Sequence, residues 1–128
     1  MGGCKVGDTI KFENFSGGYE HLWIVITPPH GDPPQVIIVN VTSLKANSDR
    51  TIILDVGDHP FIKHPTVIYY TDAKIVRVSE VEKIQQELRN SGNAPINARL
   101  LSKIQAGIES SQYVKPMIKN FFLRAMKR

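Results

Sequence analysis

The sequence contains a single cysteine, Cys4, among its 128 residues. One cysteine excludes an internal disulfide framework and a zinc site built from thiolates. Long hydrophobic runs are also missing, because the longest mainly apolar stretch, Val36–Val41, has the length of a strand and not the ~18 residues of a transmembrane helix. The first residues form neither a secretion signal nor a lipidation motif. We therefore expect a cytoplasmic protein that makes no use of a membrane.

Motifs with the fixed spacing of well-known catalytic sites are absent as well. No glycine-rich loop has the spacing of a phosphate-binding or dinucleotide-binding motif. No Gly-x-Ser-x-Gly turn marks a serine hydrolase. His59 and His64 are too few for a zinc site, which needs three or four ligands. The sequence therefore predicts no metal and no cofactor.

Charge is divided unevenly along the chain, whose net charge is +4. Residues 1–78 contain seven Lys and Arg against eight Asp and Glu, whereas residues 79–128 contain nine against four. The basic surplus thus lies entirely in the last fifty residues. Such a surplus permits binding to nucleic acid or to an acidic protein without requiring either.

The first 78 residues have the composition of a β-sheet, in which short runs of β-branched and aromatic residues alternate with turns. Val36–Val41 is almost wholly apolar, and we expect it to be the central strand. Gly57-Asp58 predicts a tight turn that brings His59 towards Thr42. The predicted strands are Thr9–Phe15, His21–Thr27, Val36–Thr42, Thr51–Leu54, Thr66–Tyr70 and Ala73–Val78.

After Val78 the hydrophobic period becomes that of a helix. Ser79 and Glu82 have the spacing of a capping box, and Ser91-Gly92 ends the first predicted helix. Two further helices are predicted, the last of them beginning between Ser111 and Pro116, and we expect their apolar stripes to pack against the sheet or against each other. Those stripes are Ile96, Leu100, Leu101, Ile104 and Ile108, and then Met117, Ile118, Phe121, Phe122 and Ala125.

These segments predict one α+β domain over residues 1–128. A small, strongly bent, SH3-like β-barrel is expected at residues 5–78, followed by about three helices at residues 79–128.

The order of the segments resembles a known family. The residues that carry the likeness are Val6-Gly7-Asp8-Thr9-Ile10, the apolar strand His21–Thr27 and a third strand that ends in Thr42-Ser43. They are similar to the MazF/PemK-type ribonuclease toxins of bacterial toxin–antitoxin systems, over about residues 5–78. Where that family typically has Arg-Pro before the second strand, this chain has His21-Leu22. The resemblance implies a homodimer that cleaves single-stranded RNA without a metal and is bound by an acidic antitoxin.

Metal-independent RNA cleavage needs a base for the 2′-hydroxyl proton, an acid for the leaving 5′-oxygen and donors that hold the charge on phosphorus. Imidazole, with an ordinary pKa of ~6.5, serves both of the first two roles at neutral pH. His21 stands where the resemblance places an active residue. His59 and His64 flank a turn and either face the same cleft or anchor the loop by hydrogen bonds. We take His21, His59 and His64 as the catalytic candidates.

The substrate-binding candidates are hydroxyls and cations. Thr42 and Ser43 match the Thr-Ser of the resembled family and could donate hydrogen bonds to a phosphate. Lys45, Arg50 and Lys63 are candidates for phosphate contacts. Of the consecutive strand residues Tyr69 and Tyr70, one should face outwards, where an aromatic ring can stack on a base.

Two other functions fit the same sequence. One is a non-catalytic inhibitor that keeps the barrel and binds a protein target such as a topoisomerase, and the other is an RNA-binding protein without cleavage. The slightly acidic balance of residues 1–78 favours the inhibitor, since an RNA cleft gains affinity from positive charge. The basic last fifty residues, with Phe121 and Phe122, are predicted to bind the acidic antitoxin by charge steering and apolar burial.

Overall fold

The computed structural model describes residues 3–13, 20–87 and 90–127. Within these ranges five strands form one antiparallel sheet, in the order β1-β2-β3-β5-β4, and three helices follow. The sheet curls strongly into a half-barrel. The predicted α+β class is confirmed, with a bent sheet first and three helices after it. The elements are β1 Thr9–Glu13, β2 Glu20–Val25, β3 Gln35–Ser43, β4 Ile53–Leu54, β5 Thr66–Arg77, α1 Val78–Gln85, α2 Ala98–Ser110 and α3 Pro116–Ala125.

The sheet bends at an irregularity in the pairing of β3 with β5. Ile38 lies opposite Lys74, but Asn40, two residues along β3, lies opposite Tyr69, five residues along β5. The surplus residues on β5 form a bulge, and a bulge bends its strand and increases its twist. The two strands predicted at residues 66–70 and 73–78 are therefore one continuous strand, and the break predicted between them falls at the bulge.

Burial on both faces explains why Val36–Val41 is apolar almost throughout. β3 lies between β2 and β5, as predicted. Side chains alternate along a strand, so Ile37 and Val39 join the larger core cluster, which includes residues of α2 and α3. Val36 and Ile38 join a second cluster around Trp23. The central strand thus contributes side chains to both hydrophobic clusters.

The predicted helical stripes pack against this sheet, with one exception. In the stripe predicted for the second helix, every residue except the partly buried Leu101 is buried, including Ile96, which precedes α2. Ile118, Phe121 and Phe122 of α3 are buried as well, whereas Met117 is exposed. Phe121 and Phe122 are buried and belong to the chain's own core. The binding of an acidic antitoxin by this segment stays a prediction. Within the described ranges, no helix has both the length and the apolar character needed to cross a membrane.

The first helix begins and ends earlier than predicted. α1 begins at Val78 after Arg77, whose side chain makes no capping bond, so the capping box predicted at Ser79 is absent. The helix ends at Gln85, before the predicted stop at Ser91-Gly92. α2 begins after Asn97, whose side chain accepts a hydrogen bond from the backbone N–H of Leu100. The first predicted strand ends at Glu13, and Asn14 and Phe15 lie outside the described residues.

A close contact joins α2 to β5. The buried Tyr70 hydroxyl donates a 2.7 Å hydrogen bond to the carbonyl oxygen of Ile104. Its ring lies against Gly107, where a Cβ atom would overlap the phenol oxygen and its carbon. The missing side chain at Gly107 is therefore what lets the helix approach the strand.

We expect Gly107→Ala to destabilise the protein by about 2–3 kcal/mol, because the added methyl group overpacks the core. Helix propensity alone would have the opposite sign, since alanine is favoured over glycine by about 1 kcal/mol inside a helix. Urea unfolding measures the difference, and Ser102→Ala, at an exposed position of the same helix, is the control, with an expected change within about 0.5 kcal/mol. A Gly107→Ala variant more stable than the original protein would contradict the contact.

Candidate functional site

The ends of β2 and β3 form one side of a cleft of about 400 Å³. Its opposite side comes from residues 61–64, which precede β5. Six of the eight residues predicted as site residues line this cleft: His21, Thr42, Ser43, Lys45, Lys63 and His64. The structure thus brings two of the three candidate histidines into one cleft with the hydroxyl groups of Thr42 and Ser43.

Strand pairing explains the convergence. Trp23 on β2 lies opposite Asn40 on β3, and two residues further along these antiparallel strands come His21 and Thr42. On the other side of β3, Ser43 lies opposite Thr66 at the start of β5. Residues far apart in the sequence therefore meet where three neighbouring strands end or begin.

A hydrogen bond of 2.7 Å joins the Ser43 hydroxyl to Nε2 of His64. The His64 backbone is fixed in turn, since its carbonyl oxygen accepts a 2.8 Å hydrogen bond from the Thr66 hydroxyl. The imidazole itself is exposed to solvent. This side chain is therefore held at the cleft by its partner and stays accessible from solvent.

The cleft contains more positive than negative charge. Lys45 and Lys63 contribute two exposed ammonium groups, and Glu20 contributes one carboxylate. Arg50, also predicted to contact phosphate, is not among the lining residues. Its guanidinium donates a 3.2 Å hydrogen bond to the carbonyl oxygen of Lys45 and so braces the loop that carries that lysine.

His59 lies apart from the other two candidate histidines. Gly57 has a φ of +100°, and the Asp58 N–H donates to the carbonyl oxygen of Asp55, so the predicted tight turn is present. The turn does not carry His59 into the cleft, because the side chain is buried and both ring nitrogens have partners. Nδ1 accepts from the N–H of Phe61, and Nε2 lies 2.7 Å from the carbonyl oxygen of Ala94. These contacts fit the alternative in which His59 anchors its loop.

A second cavity, of about 460 Å³, adjoins the first and shares Thr42, Ser43 and Lys45 with it. Tyr69 lines this cavity and is 41% exposed, whereas Tyr70 is 1% exposed. The prediction that one of the two tyrosines faces outwards is confirmed. That the outward ring lies next to the histidine cleft could not be predicted, because it depends on the pairing of β3 with β5.

A third cleft, of about 610 Å³, lies between the N-terminal segment and α1 and is lined mostly by polar side chains. Cys4 is buried close to its acidic residues, Asp8 and Glu82. Burial, and to a smaller extent the charges of these two carboxylates, raises the pKa of the thiol to about 12. Among the described residues no group of three or more His, Cys, Asp and Glu side chains is placed to hold a metal ion.

Comparison of the chain with models of protein families, with curated proteins and with solved structures gave no match.

We expect Cys4 to react with iodoacetamide at pH 8 on the order of 10³ times more slowly in the folded protein than in guanidinium chloride. Only the thiolate reacts, and its fraction at pH 8 is far smaller with the folded pKa of about 12 than with the unfolded pKa of about 8.5. Mass spectrometry of the alkylated chain measures both rates, and Cys4→Ser gives the background. Similar rates in the two states would contradict the raised pKa. Since the folded state holds this proton more tightly, the free energy of unfolding should also fall as the pH rises above about 8.5.

Proposed function

We propose that the protein is an endoribonuclease that cleaves single-stranded RNA without a metal ion, as the toxin of a toxin–antitoxin pair. The observation that carries the proposal is the shared cleft of His21, His64 and Ser43, with Lys45 and Lys63 at its edge. Two imidazoles, a hydroxyl and two ammonium groups are the side chains that this chemistry needs.

The reaction is an internal transesterification. One imidazole, of His21 or His64, takes the proton from a ribose 2′-hydroxyl, and that oxygen attacks the neighbouring phosphorus. The bond from phosphorus to the 5′-oxygen breaks, and the other imidazole gives its proton to that oxygen. The products are a 2′,3′-cyclic phosphate and a 5′-hydroxyl, so the pair of histidines ends with the same number of protons.

The remaining side chains of the cleft hold the phosphate and the catalytic groups in place. Lys45 and Lys63 offset the negative charge that builds up on the phosphate oxygens, a role that the guanidinium of the resembled family would otherwise fill. Ser43 acts through His64 and is a positioning residue, since their hydrogen bond fixes the imidazole. Thr42 has a hydroxyl that can donate to the phosphate.

The second cavity offers a place for a neighbouring nucleotide. Tyr69 faces this space, and Lys45 lies between the two cavities. Stacking of a base on an aromatic ring is worth about 1–3 kcal/mol and needs an unpaired base. The arrangement therefore supports single-stranded RNA as the substrate.

A second candidate function is binding without cleavage. Glu20 contributes a carboxylate to the cleft, and a carboxylate repels phosphate. A protein target in place of RNA would relieve this repulsion. The acidic antitoxin and the homodimer stay predictions from the resemblance.

We expect His21→Ala and His64→Ala each to lower the rate of RNA cleavage by about 10²–10⁴-fold, because each removes one of the two proton-transfer groups. Ser43→Ala should have a smaller effect that depends on pH, since the imidazole stays but loses its partner. The measurement is cleavage of a long single-stranded RNA in EDTA, with mass spectrometry of the new ends to find the cyclic phosphate.

His30→Ala is the matched control, because the His30 ring packs edge-on against Phe121 and does not line the cleft. Its cleavage rate should stay within about twofold of the original, as expected for a substitution away from the site. Full cleavage by folded His21→Ala and His64→Ala would overturn the proposal, as would a strict requirement for added metal. No cleavage by the original protein would favour the binding function.

A further inference from the structure

The wall of the second cavity contains a second aromatic ring, that of Tyr113. Tyr69 belongs to β5 and Tyr113 to the segment between α2 and α3, so the two rings reach the cavity from separate parts of the fold. Tyr113 is 53% exposed, although the nearby Ser111 and Val114 are buried. An exposed tyrosine on a fixed backbone offers a large contact area to a ligand at a low cost in conformational entropy.

The space beside these two rings has the size of a ligand site. Ring contacts occur elsewhere in the described part of the chain, but none involves Tyr69 or Tyr113. The cavity volume of about 460 Å³ is within the range of about 300–1,000 Å³ that is typical of small-molecule sites. The cavity therefore has room for a flat ligand of the size of one nucleobase.

A buried carboxylate fixes the backbone of Tyr113. Oδ2 of Asp49 accepts a 2.9 Å hydrogen bond from the Ser111 hydroxyl, and that hydroxyl oxygen accepts a 3.1 Å hydrogen bond from the N–H of Tyr113. Oδ1 of Asp49 accepts hydrogen bonds from the N–H and the hydroxyl of Thr51. Asp49 forms no ion pair within the described ranges, so these hydrogen bonds are what stabilise its buried charge.

The same carboxylate directly follows the turn that begins at Lys45. In this turn the Lys45 N–H donates a 2.7 Å hydrogen bond to the Ser48 hydroxyl oxygen, and the Ser48 N–H donates a 3.1 Å hydrogen bond to the Lys45 carbonyl oxygen. Lys45 lines both the histidine cleft and the second cavity. Asp49 therefore connects the loop that carries this ammonium group to the segment that carries Tyr113.

We propose that the second cavity binds one unpaired base of a single-stranded RNA against the rings of Tyr69 and Tyr113, and that Asp49 positions Tyr113 for this contact. The base belongs to the nucleotide next to the one whose phosphate lies in the histidine cleft, because the two spaces adjoin and Lys45 lines both. Asn47 also lines the cavity, and its amide can bond to the edge of a base. This base site rests on the proposed function, since it needs RNA as the ligand of the cleft, but not on which groups catalyse cleavage.

A proline-rich peptide is another ligand that grooves lined by aromatic rings bind. Such a peptide brings no negative charge to the ammonium groups of Lys45 and Lys63, whereas an RNA strand places a phosphate beside them in the adjoining cleft. Continuity of the second cavity with this positively charged cleft therefore favours a nucleotide.

The probe is an eight-nucleotide RNA of mixed sequence with methylated 2′-oxygens, which has no attacking hydroxyl and so binds without being cleaved. Tyr113→Ala should weaken its binding to the full chain by about tenfold in fluorescence anisotropy, because one stacking surface is lost. Tyr113→Phe keeps the ring and should restore binding to within about twofold of the original protein. The matched control is Leu123→Ala, which removes a side chain of α3 that is 54% exposed and lies outside the cavity, with an expected change within about twofold.

The bound base is identified by removing the bases of the probe one position at a time. At one position, removal should weaken binding to the original protein by about tenfold but change binding to Tyr113→Ala by less than about twofold, because base and ring lose the same contact.

Ser111→Ala tests the positioning role of Asp49, since it removes the hydroxyl that joins this carboxylate to Tyr113. It should weaken binding of the probe by about threefold to fivefold in the original protein. In the Tyr113→Ala background the same change should have an effect within about twofold. A general loss of stability would act equally in both backgrounds.

Tight binding of the probe by Tyr113→Ala would overturn the inference, as would equal losses on base removal in the original protein and in this variant. The same Tyr113→Ala effect with duplex RNA would also contradict it, because the bases of a duplex are paired. So would a ten-residue proline peptide whose binding, in place of that of the RNA, depends on Tyr113.

Cleavage and base binding can fail separately. A protein that binds the probe with the expected dependence on Tyr113 but leaves ordinary RNA intact would retain the base site and refute the proposed cleavage. A protein that cleaves RNA, while Tyr113→Ala changes neither KM nor binding of the probe, would retain the cleavage and refute the base site. Absence of any RNA binding would refute both.

Discussion

In the bulge of β5, the carboxylate of Asp72 makes one hydrogen bond and one ion pair. It lies within the bulge, where one oxygen accepts a 3.0 Å hydrogen bond from the buried Asn40 side chain and the other lies 3.3 Å from the ammonium of Lys74. Asn40 is on β3 and Lys74 is where regular pairing resumes. The carboxylate thus connects the bulged residues of β5 to β3, at the position where the bulge bends the sheet.

The bend divides β5 into two halves with different neighbours. The first half has β3 on one side and β4 on the other, and it starts beside the cleft that contains His21, Ser43 and His64. The second half keeps β3 but has no described strand on its other side, because β4 is two residues long and pairs only with Thr66 and Val67. This half lies beside α3 and lines a groove there. The cleft and the groove beside α3 therefore lie against different halves of the same strand.

Periodic patterns in the sequence predicted a bent sheet followed by three helices, although they divided β5 into two strands. The apolar run at Val36–Val41 predicted the central strand, because a strand buried on both faces has no polar alternation. The partners of the site residues could not be predicted in this way. His59 bonds to Ala94, 35 residues away, and Ser43 bonds to His64, 21 residues away. Such pairs depend on how loops and strands pack, and local composition contains little information about that.

The histidine cleft and the groove beside α3 lie at opposite ends of β5. Ile75 at the groove is nine residues along β5 from Thr66 at the cleft. This is about 30 Å along a straight strand at the usual rise per residue, and the bend shortens the distance. A molecule in the groove beside α3 would therefore not cover the histidine cleft. β3 pairs with both halves of β5, so it connects the two ends of the strand as directly as the bulge at Asp72 does.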